Sequence, residues 1–297
     1  MSVEGQIANF IVSPSSTARL ASELFPGQEI AIPFCAWALR NLVSNNGGFE
    51  VSGGTFGSYA INTDLLKVLL LGKELDAALL GYRYFLPKRS SSIVEIHFED
   101  DQGSATGTGF ILEFGPDEDR RRRLVTCRHV VFDKDGAPRE NLKFFAEGRE
   151  LLVTQAQAMS RVDVCILGSV EIDGLTGLIS RNAFLLDGVF TAGFPRVMLG
   201  LDNPLLYHSG EINGWLGEKE KGGLFAVTSA DVAPGNSGGP VFGDLGYVVG
   251  VVSDQYLDKR DGQIAKHNLF IPIEQINHDI AAGLVEEPVS IEGDASG

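Results

Sequence analysis

The sequence predicts a mostly β protein: two sets of about six short strands each, a number that fits two antiparallel β-barrels, preceded by a mainly helical N-terminal extension. Three observations carry this expectation. From Ile93 to Ile273 the chain is a succession of short apolar or alternating runs separated by Gly, Asp and Asn turns. These runs fall into two sets on either side of a connection at residues 170–187. Residues 1–88 instead place their apolar residues at helical spacing, in Thr17 to Leu24, Phe34 to Val43 and most strongly Leu65 to Leu80, where Thr63 or Asp64 can cap the start.

In chain order, Asn45 to Ser58 is rich in Gly, Ser and Asn and reads as a loop or hairpin, and Pro87 to Ser92 reads as a linker. The first set of strands is IVEIHF, GTGFILEF, RLVTCRHVV, LKFFAE, ELLVTQ and DVCILG. The second is GVFTAGF, LLYHSGEI, LFAVTS, PVF, YVVGVVS and HNLFIPI. Residues 273–283 read as a closing helix, and the acidic stretch 284–297 as a disordered tail. The expected domains are therefore 1–88, 89–283 and that tail. The run DEDRRRR at Asp117 to Arg123 mixes both signs and is read as a solvated hairpin tip.

Hydrophobic residues make up 44% and charged residues 21% of the 297, the balance of an ordinary globular chain. Net charge is −15, and it is concentrated beyond residue 88: Lys and Arg number 6 against 7 Asp and Glu before that point, and 18 against 32 after it. Such a surface repels nucleic acid and anionic membrane, and neither is expected as a partner. The longest apolar run, Val68 to Leu71, is too short to span a bilayer, and no secretory leader is recognisable. Three cysteines, Cys35, Cys127 and Cys165, are odd in number and widely spaced, which argues against a disulfide framework and for a cytoplasmic location.

Chemistry concentrates in DVAPGNSGGPVF, Asp231 to Phe242. Ser237 is flanked by small residues that pack little, as suits a turn that something must approach closely. Ser237 is the candidate nucleophile, and the N–H groups of Gly235 and Ser237 are the candidate oxyanion donors. A serine at the start of a helix, with its histidine last in the chain, is the alternative, but Pro240 and the strands after it exclude the helix. The partners then lie upstream: His129 in TCRHV as base and Asp163 in RVDVCIL as the carboxylate that orients it.

TCRHV, VDVCIL and GNSGGP together resemble the three active-site segments of trypsin-like, chymotrypsin-fold serine peptidases, nearest in lettering to the HtrA/DegP-like bacterial branch. GTGFIL and GVVS resemble the flanking strands of that family, and the resemblance covers about residues 90 to 280. It implies the two-barrel fold, serine endopeptidase activity through an acyl-enzyme, protein or peptide substrates and no cofactor. It also implies that Ser253 supports the triad carboxylate, and that Asp231, Val252 and Asp254 line the specificity pocket, with two alternatives: Asp231, six residues before Ser237, forms the pocket base and selects Arg or Lys, or the pocket takes small aliphatic residues as in HtrA-like members.

Two departures from the family matter. Asn236 stands where many secreted members carry the aspartate that pairs with a new N-terminus on activation, and few residues follow the closing helix where HtrA-like members carry a PDZ domain. His97, His208, His267 and His278 lack catalytic context and are read as structural. Cys127 and Cys165 with His129 mimic a metal-ligand set, but without a CxxC spacing they are read as buried thiols behind the triad, and no metal is expected. Residues 1–88 hold no catalytic candidate and are expected to recruit or regulate. The competing reading is an inactive protease-fold scaffold that binds peptide without cutting it.

Overall fold

The computed structural model describes residues 9–12, 49–51, 58–62, 82–101, 103–114, 121–168, 175–196, 203–217, 222–243, 246–260 and 263–291. Its contacts divide the chain into two compact units, Met1–Pro87 and Lys88–Gly297. In the first unit, β1 (Asn9–Val12), β2 (Phe49–Val51) and β3 (Ser58–Asn62) form a small antiparallel sheet in the order β1-β3-β2. The hairpin expected near Asn45 to Ser58 corresponds to β2 and β3. The three helical stretches expected before Leu80 lie outside the described residues. Helix α1 (Tyr82–Arg89) and a short 3-10 turn lead into the second unit.

That unit is mostly strand. Its first half comprises β4 (Ile93–Asp100), β5 (Gly103–Phe114), β6 (Arg121–Thr126), β7 (Lys143–Ala146), β8 (Arg149–Leu151), β9 (Gln155–Ala158) and β10 (Cys165–Gly168). With β17 (Val289–Ser290) these form one eight-stranded sheet in the order β17-β9-β10-β6-β5-β4-β7-β8. The sheet curls into a half-barrel without closing. One edge, β8, is three residues long with Arg149 and Glu150 exposed, a short charged strand of the kind that resists further pairing.

The second half does close. Strands β11 (Gly188–Gly193), β12 (Leu206–Gly217), β13 (Leu224–Thr228), β14 (Pro240–Phe242), β15 (Val248–Arg260) and β16 (Gln263–Pro272) make a six-stranded barrel, β11-β12-β13-β16-β15-β14. Alternation along each strand turns Val189, Ile212, Ala226, Val241, Val252 and Phe270 into its interior, all essentially inaccessible to solvent. The connection between the halves is stitched to both: Leu178 N–H donates to Ile111 O, and Arg181 N–H to Val248 O.

Two local expectations are corrected. RLVTCRHVV is not strand throughout: β6 ends at Thr126, Cys127 takes an extended cap conformation, and α2 (Arg128–Val131) is one helical turn. Gly107 on β5 allows that turn to sit close, since a Cβ there would lie 2.6 Å from Val130 Cγ1.

The tail expected to be disordered from 284 is instead ordered through Ile291. After helix α3 (Ile273–Ala281) it crosses to the half-barrel, where Val289 and Ser290 pair with Ala156 and Gln155, and Ile291 is buried. The edge of β9 supplies unpaired backbone groups and Ile291 supplies an apolar anchor, which together offset the ordering entropy that acidic composition alone suggested would prevail.

Candidate active site

The site forms where the half-barrel and the closed barrel meet, and loops rather than strand centres carry it. Asp163 lies in the bend just before β10, and its carboxylate grips the His129 residue twice: Oδ1 accepts the backbone N–H at 3.0 Å, and Oδ2 lies 2.6 Å from ring Nδ1. The backbone contact fixes where the α2 turn stands, and the ring contact fixes which imidazole edge faces the carboxylate. With Nδ1 carrying the proton toward Asp163, Nε2 is the edge with a lone pair to accept one. The imidazole is half-exposed, as a base that meets substrate must be. From the other side, Arg139 Nε donates to the His129 carbonyl at 2.9 Å.

The turn carrying Ser237 is held to both halves by backbone bonds, to β5 of the half-barrel and to β15 of the closed barrel. Thr108 N–H donates to Ser237 O at 2.9 Å, and Gly238 N–H donates to Val252 O at 2.8 Å. Gly235 and Gly238 both adopt positive φ, at 101° and 85°. A Cβ on Gly238 would run into Thr108 O and Thr126 Oγ1 and lie 2.7 Å from Cys127 N, so the turn reaches the end of β6 only because that residue is glycine. This contact brings the Ser237 turn against the segment that continues into His129. Asn236 N–H and Gly239 N–H donate within the turn, to Ala233 O and Asn236 O.

Thr108 is the residue the sequence did not single out. Its Oγ1 donates to Gly235 O at 2.6 Å and accepts from Phe194 N–H at 3.0 Å, and its own carbonyl accepts from Thr126 Oγ1 at 2.7 Å. One buried hydroxyl thus ties the first candidate oxyanion residue to both halves. The signal was GTGFIL, which was read only as a strand.

The remaining expected residues distribute as follows. Ser253 is buried on β15, directly after Val252, whose carbonyl also accepts the Cys127 thiol at 3.1 Å. Val252 points into the closed barrel's core beside Val232. Asp231 is exposed, and its Oδ1 accepts its own neighbour's N–H at Val232, as a turn-forming aspartate does. A carboxylate selects a cationic side chain strongly only where it is shielded from water, and the exposure of Asp231 bears on that choice. The side chain of Asp254 lies outside the described residues. Cys127 and Cys165 are buried thiols in no disulfide, and burial pushes the Cys165 thiol up to about 12. His97 lies 2.9 Å from Glu95 and packs on Phe145, and His278 lies 3.1 Å from Asp279.

The ordered tail reaches the site too. Glu286 pairs with Arg128, next to His129, at 2.7 Å, and its backbone N–H donates to Ala158 O. Arg161, two residues before Asp163, lies 3.5 Å from the fully buried carboxylate of Asp279 on α3. A cleft of about 400 Å³ lined by Asp100, Thr106, Arg196, Asn203, Pro234 and Gly235 opens beside the nucleophile turn.

Residues 107–251 match the family model of the trypsin-like peptidase domain. Among solved structures, the chain is similar to the active form of the Rv3671c protease from M. tuberculosis, with 24% identity over 69% of this chain and 86% of that one at a TM-score of 0.52. It is also similar to the HtrA-type protease AlgW solved with a tripeptide, with 19% identity over 69% of this chain and 65% of that one at a TM-score of 0.50. No curated protein matches the chain. Sheet topology, the histidine and carboxylate geometry and the family match agree, and residues 107–251 of the chain carry a trypsin-like peptidase domain.

Proposed function

We propose that this peptidase cuts internal peptide bonds through an acyl-enzyme, with Ser237 as nucleophile, His129 as base and Asp163 as the orienting carboxylate. The observation that carries the reading is the double grip of Asp163 on His129. A catalytic imidazole needs one edge fixed and the other available, and a merely structural histidine has no use for that arrangement beside a GNSGGP turn. Ser237 Oγ attacks the carbonyl carbon as its proton passes to His129 Nε2. The negative charge on the carbonyl oxygen is met by N–H groups of Gly235 and Ser237, and His129 then returns the proton to the leaving amine. Water repeats the cycle to release the acid.

For specificity, Asp231 is exposed and bonds within its own loop rather than lying as an unpaired carboxylate in a shielded pocket, which favours small aliphatic over cationic residues before the cut. We place the enzyme in the cytoplasm on its cysteine usage, and assign residues 1–88 a recruiting or regulatory role because they hold no catalytic candidate.

The test is labelling by a fluorophosphonate probe together with hydrolysis of a peptide library. Wild type should label and cleave. Ser237→Ala and His129→Ala should each lose hydrolysis by several orders of magnitude with an unchanged circular dichroism spectrum. Near-wild-type turnover in either variant would exclude the assignment, and binding of library peptides without cleavage by wild type would point to the scaffold reading.

A further inference from the structure

The sequence offered Cys127 and Cys165 with His129 as a metal-ligand set and set it aside for want of a zinc-motif spacing, but the fold assembles a different trio, in which Asp163 stands in place of Cys165. The Cys127 thiol, one carboxylate oxygen of Asp163 and a ring nitrogen of His129 all lie within 4.8 Å of one another. The reason is local. Cys127 caps the single turn α2 with an extended backbone and buries its thiol, which now donates to Val252 O, and the bend before β10 brings the Asp163 carboxylate to His129. We propose that this trio is an inhibitory site for a thiophilic divalent cation, zinc above all, seated behind the triad. This inference concerns regulation of the proposed active site and rests on that reading for its effect on catalysis, though not for binding.

Ligand chemistry and geometry both suit the ion. Zinc takes Cys, His and Asp at about 2.0–2.3 Å in a tetrahedron and commonly keeps a water as fourth ligand. Those bond lengths place ligand atoms roughly 3.3–3.7 Å apart, so the imidazole and carboxylate, now 2.6 Å apart, must separate by less than about 1 Å. Entry is open from the substrate side, where the side chains of His129 and Asp163 are 45% and 31% exposed, while the thiol is buried. On binding, the S–H bond of Cys127 breaks and its proton goes to solvent. The Nδ1 proton of His129 moves to Nε2, and bonds form from zinc to Sγ, to Nδ1 and to a carboxylate oxygen. No redox change is involved. The Nε2 edge, which accepts the Ser237 proton in catalysis, then carries a proton itself, and the base is disabled. Because a proton is released, binding strengthens as pH rises.

The test separates binding from activity. Full-length Ser237→Ala protein, kept reduced with a phosphine, is titrated with Co²⁺ as a spectroscopic stand-in for zinc. A thiolate-to-cobalt absorption band in the near ultraviolet is expected, persisting in Cys35→Ala and absent in both Cys127→Ala and Cys127→Ser. In parallel, Zn²⁺ should inhibit wild-type peptide hydrolysis reversibly, EDTA restoring the rate, and half-inhibition of Cys127→Ser, scaled to its own zinc-free rate, should need at least ten times more zinc. Lack of the thiolate band, or its survival in both Cys127 variants, overturns the proposal. So does equal zinc sensitivity of wild type and Cys127→Ser, which would assign inhibition to oxygen ligands such as the acidic surface group Asp100, Asp101, Asp133 and Asp135. A cobalt band in a chain that cleaves no peptide supports the metal site and refutes the peptidase assignment instead.

Discussion

Replacing Thr108 by valine tests whether the nucleophile turn is held in its working shape by the half-barrel. The substitution keeps volume and β-branching and removes only the hydroxyl, which donates to Gly235 O and accepts from Phe194 N–H. Each group left without its partner in a buried or part-buried setting costs about 1–3 kcal/mol, so the pair should cost about 2–4 kcal/mol after local relaxation. For a unit of this size, 1 kcal/mol moves the melting temperature by roughly 2–4 °C, which predicts a fall of about 4–16 °C. Catalysis should suffer separately. Gly235, at a φ that few residues adopt, is anchored through its carbonyl by that bond, and once the anchor is lost its φ and ψ can relax and its N–H is no longer held toward the developing oxyanion. Loss of one such donor costs about 10²–10³-fold in kcat, and a partial loss near 10²-fold is expected here with KM little changed. Stability is measured by denaturant unfolding in the Ser237→Ala background, so that autolysis does not intrude, and kcat on a short peptide in the active protein. Thr108→Ser keeps the hydroxyl and should restore kcat to within about 3-fold. If Thr108→Val unfolds at the wild-type midpoint and turns over at the wild-type rate, the hydroxyl does not organise the site.

Three further outcomes are expected. Cys165 ordinarily ionises at 9.0 but is pushed up to about 12 by burial, so between pH 9 and 12 only the unfolded chain loses this proton and stability falls as pH rises. The slope approaches 1.4 kcal/mol per pH unit and should disappear from unfolding curves of Cys165→Ala, and parallel curves for the two proteins would refute it. Truncation after Gly283 removes the Glu286 pair to Arg128 and the β17 pairing with β9, and should raise hydrogen exchange at residues 155–164 and lower kcat while leaving exchange in β11–β16 unchanged; unaltered exchange around Asp163 would mean that the tail does not brace the triad carboxylate. In peptides differing only at the residue before the cut, Val or Ala should be preferred over Arg or Lys, and Asp231→Ser should leave the ranking as it was; a preference for Arg abolished by Asp231→Ser would restore the shielded-carboxylate pocket.

What the sequence by itself determined was whatever depends on local pattern. Alternation and turn residues specify the strands from Ile93 to Ile273, because a half-buried pleated strand needs apolar side chains on one face and breakers at its ends. The order His129, Asp163, Ser237 and the small residues around Ser237 marked the chemistry for the same reason: a nucleophile turn must be small wherever it occurs. What only the tertiary structure decided was long-range partnership. Thr108 meets Gly235 across 127 residues, and Glu286 meets Arg128 across 158, separations over which no periodicity carries information. The tail from Leu284 looked too acidic to order, yet it orders because β9 presents an unpaired edge that no local window contains. Asp231 and Cys127 show the same limit at a single residue. Counting back from Ser237 located Asp231 along the chain, but whether its carboxylate is shielded depends on how the barrel walls stand around it. The sequence weighed Cys127 and Cys165 with His129 as ligands and overlooked Asp163, but the one-turn helix and the bend before β10 bring the ligand atoms of Cys127, His129 and Asp163 together, because ligand geometry is set by where backbones cross rather than by how many residues separate them.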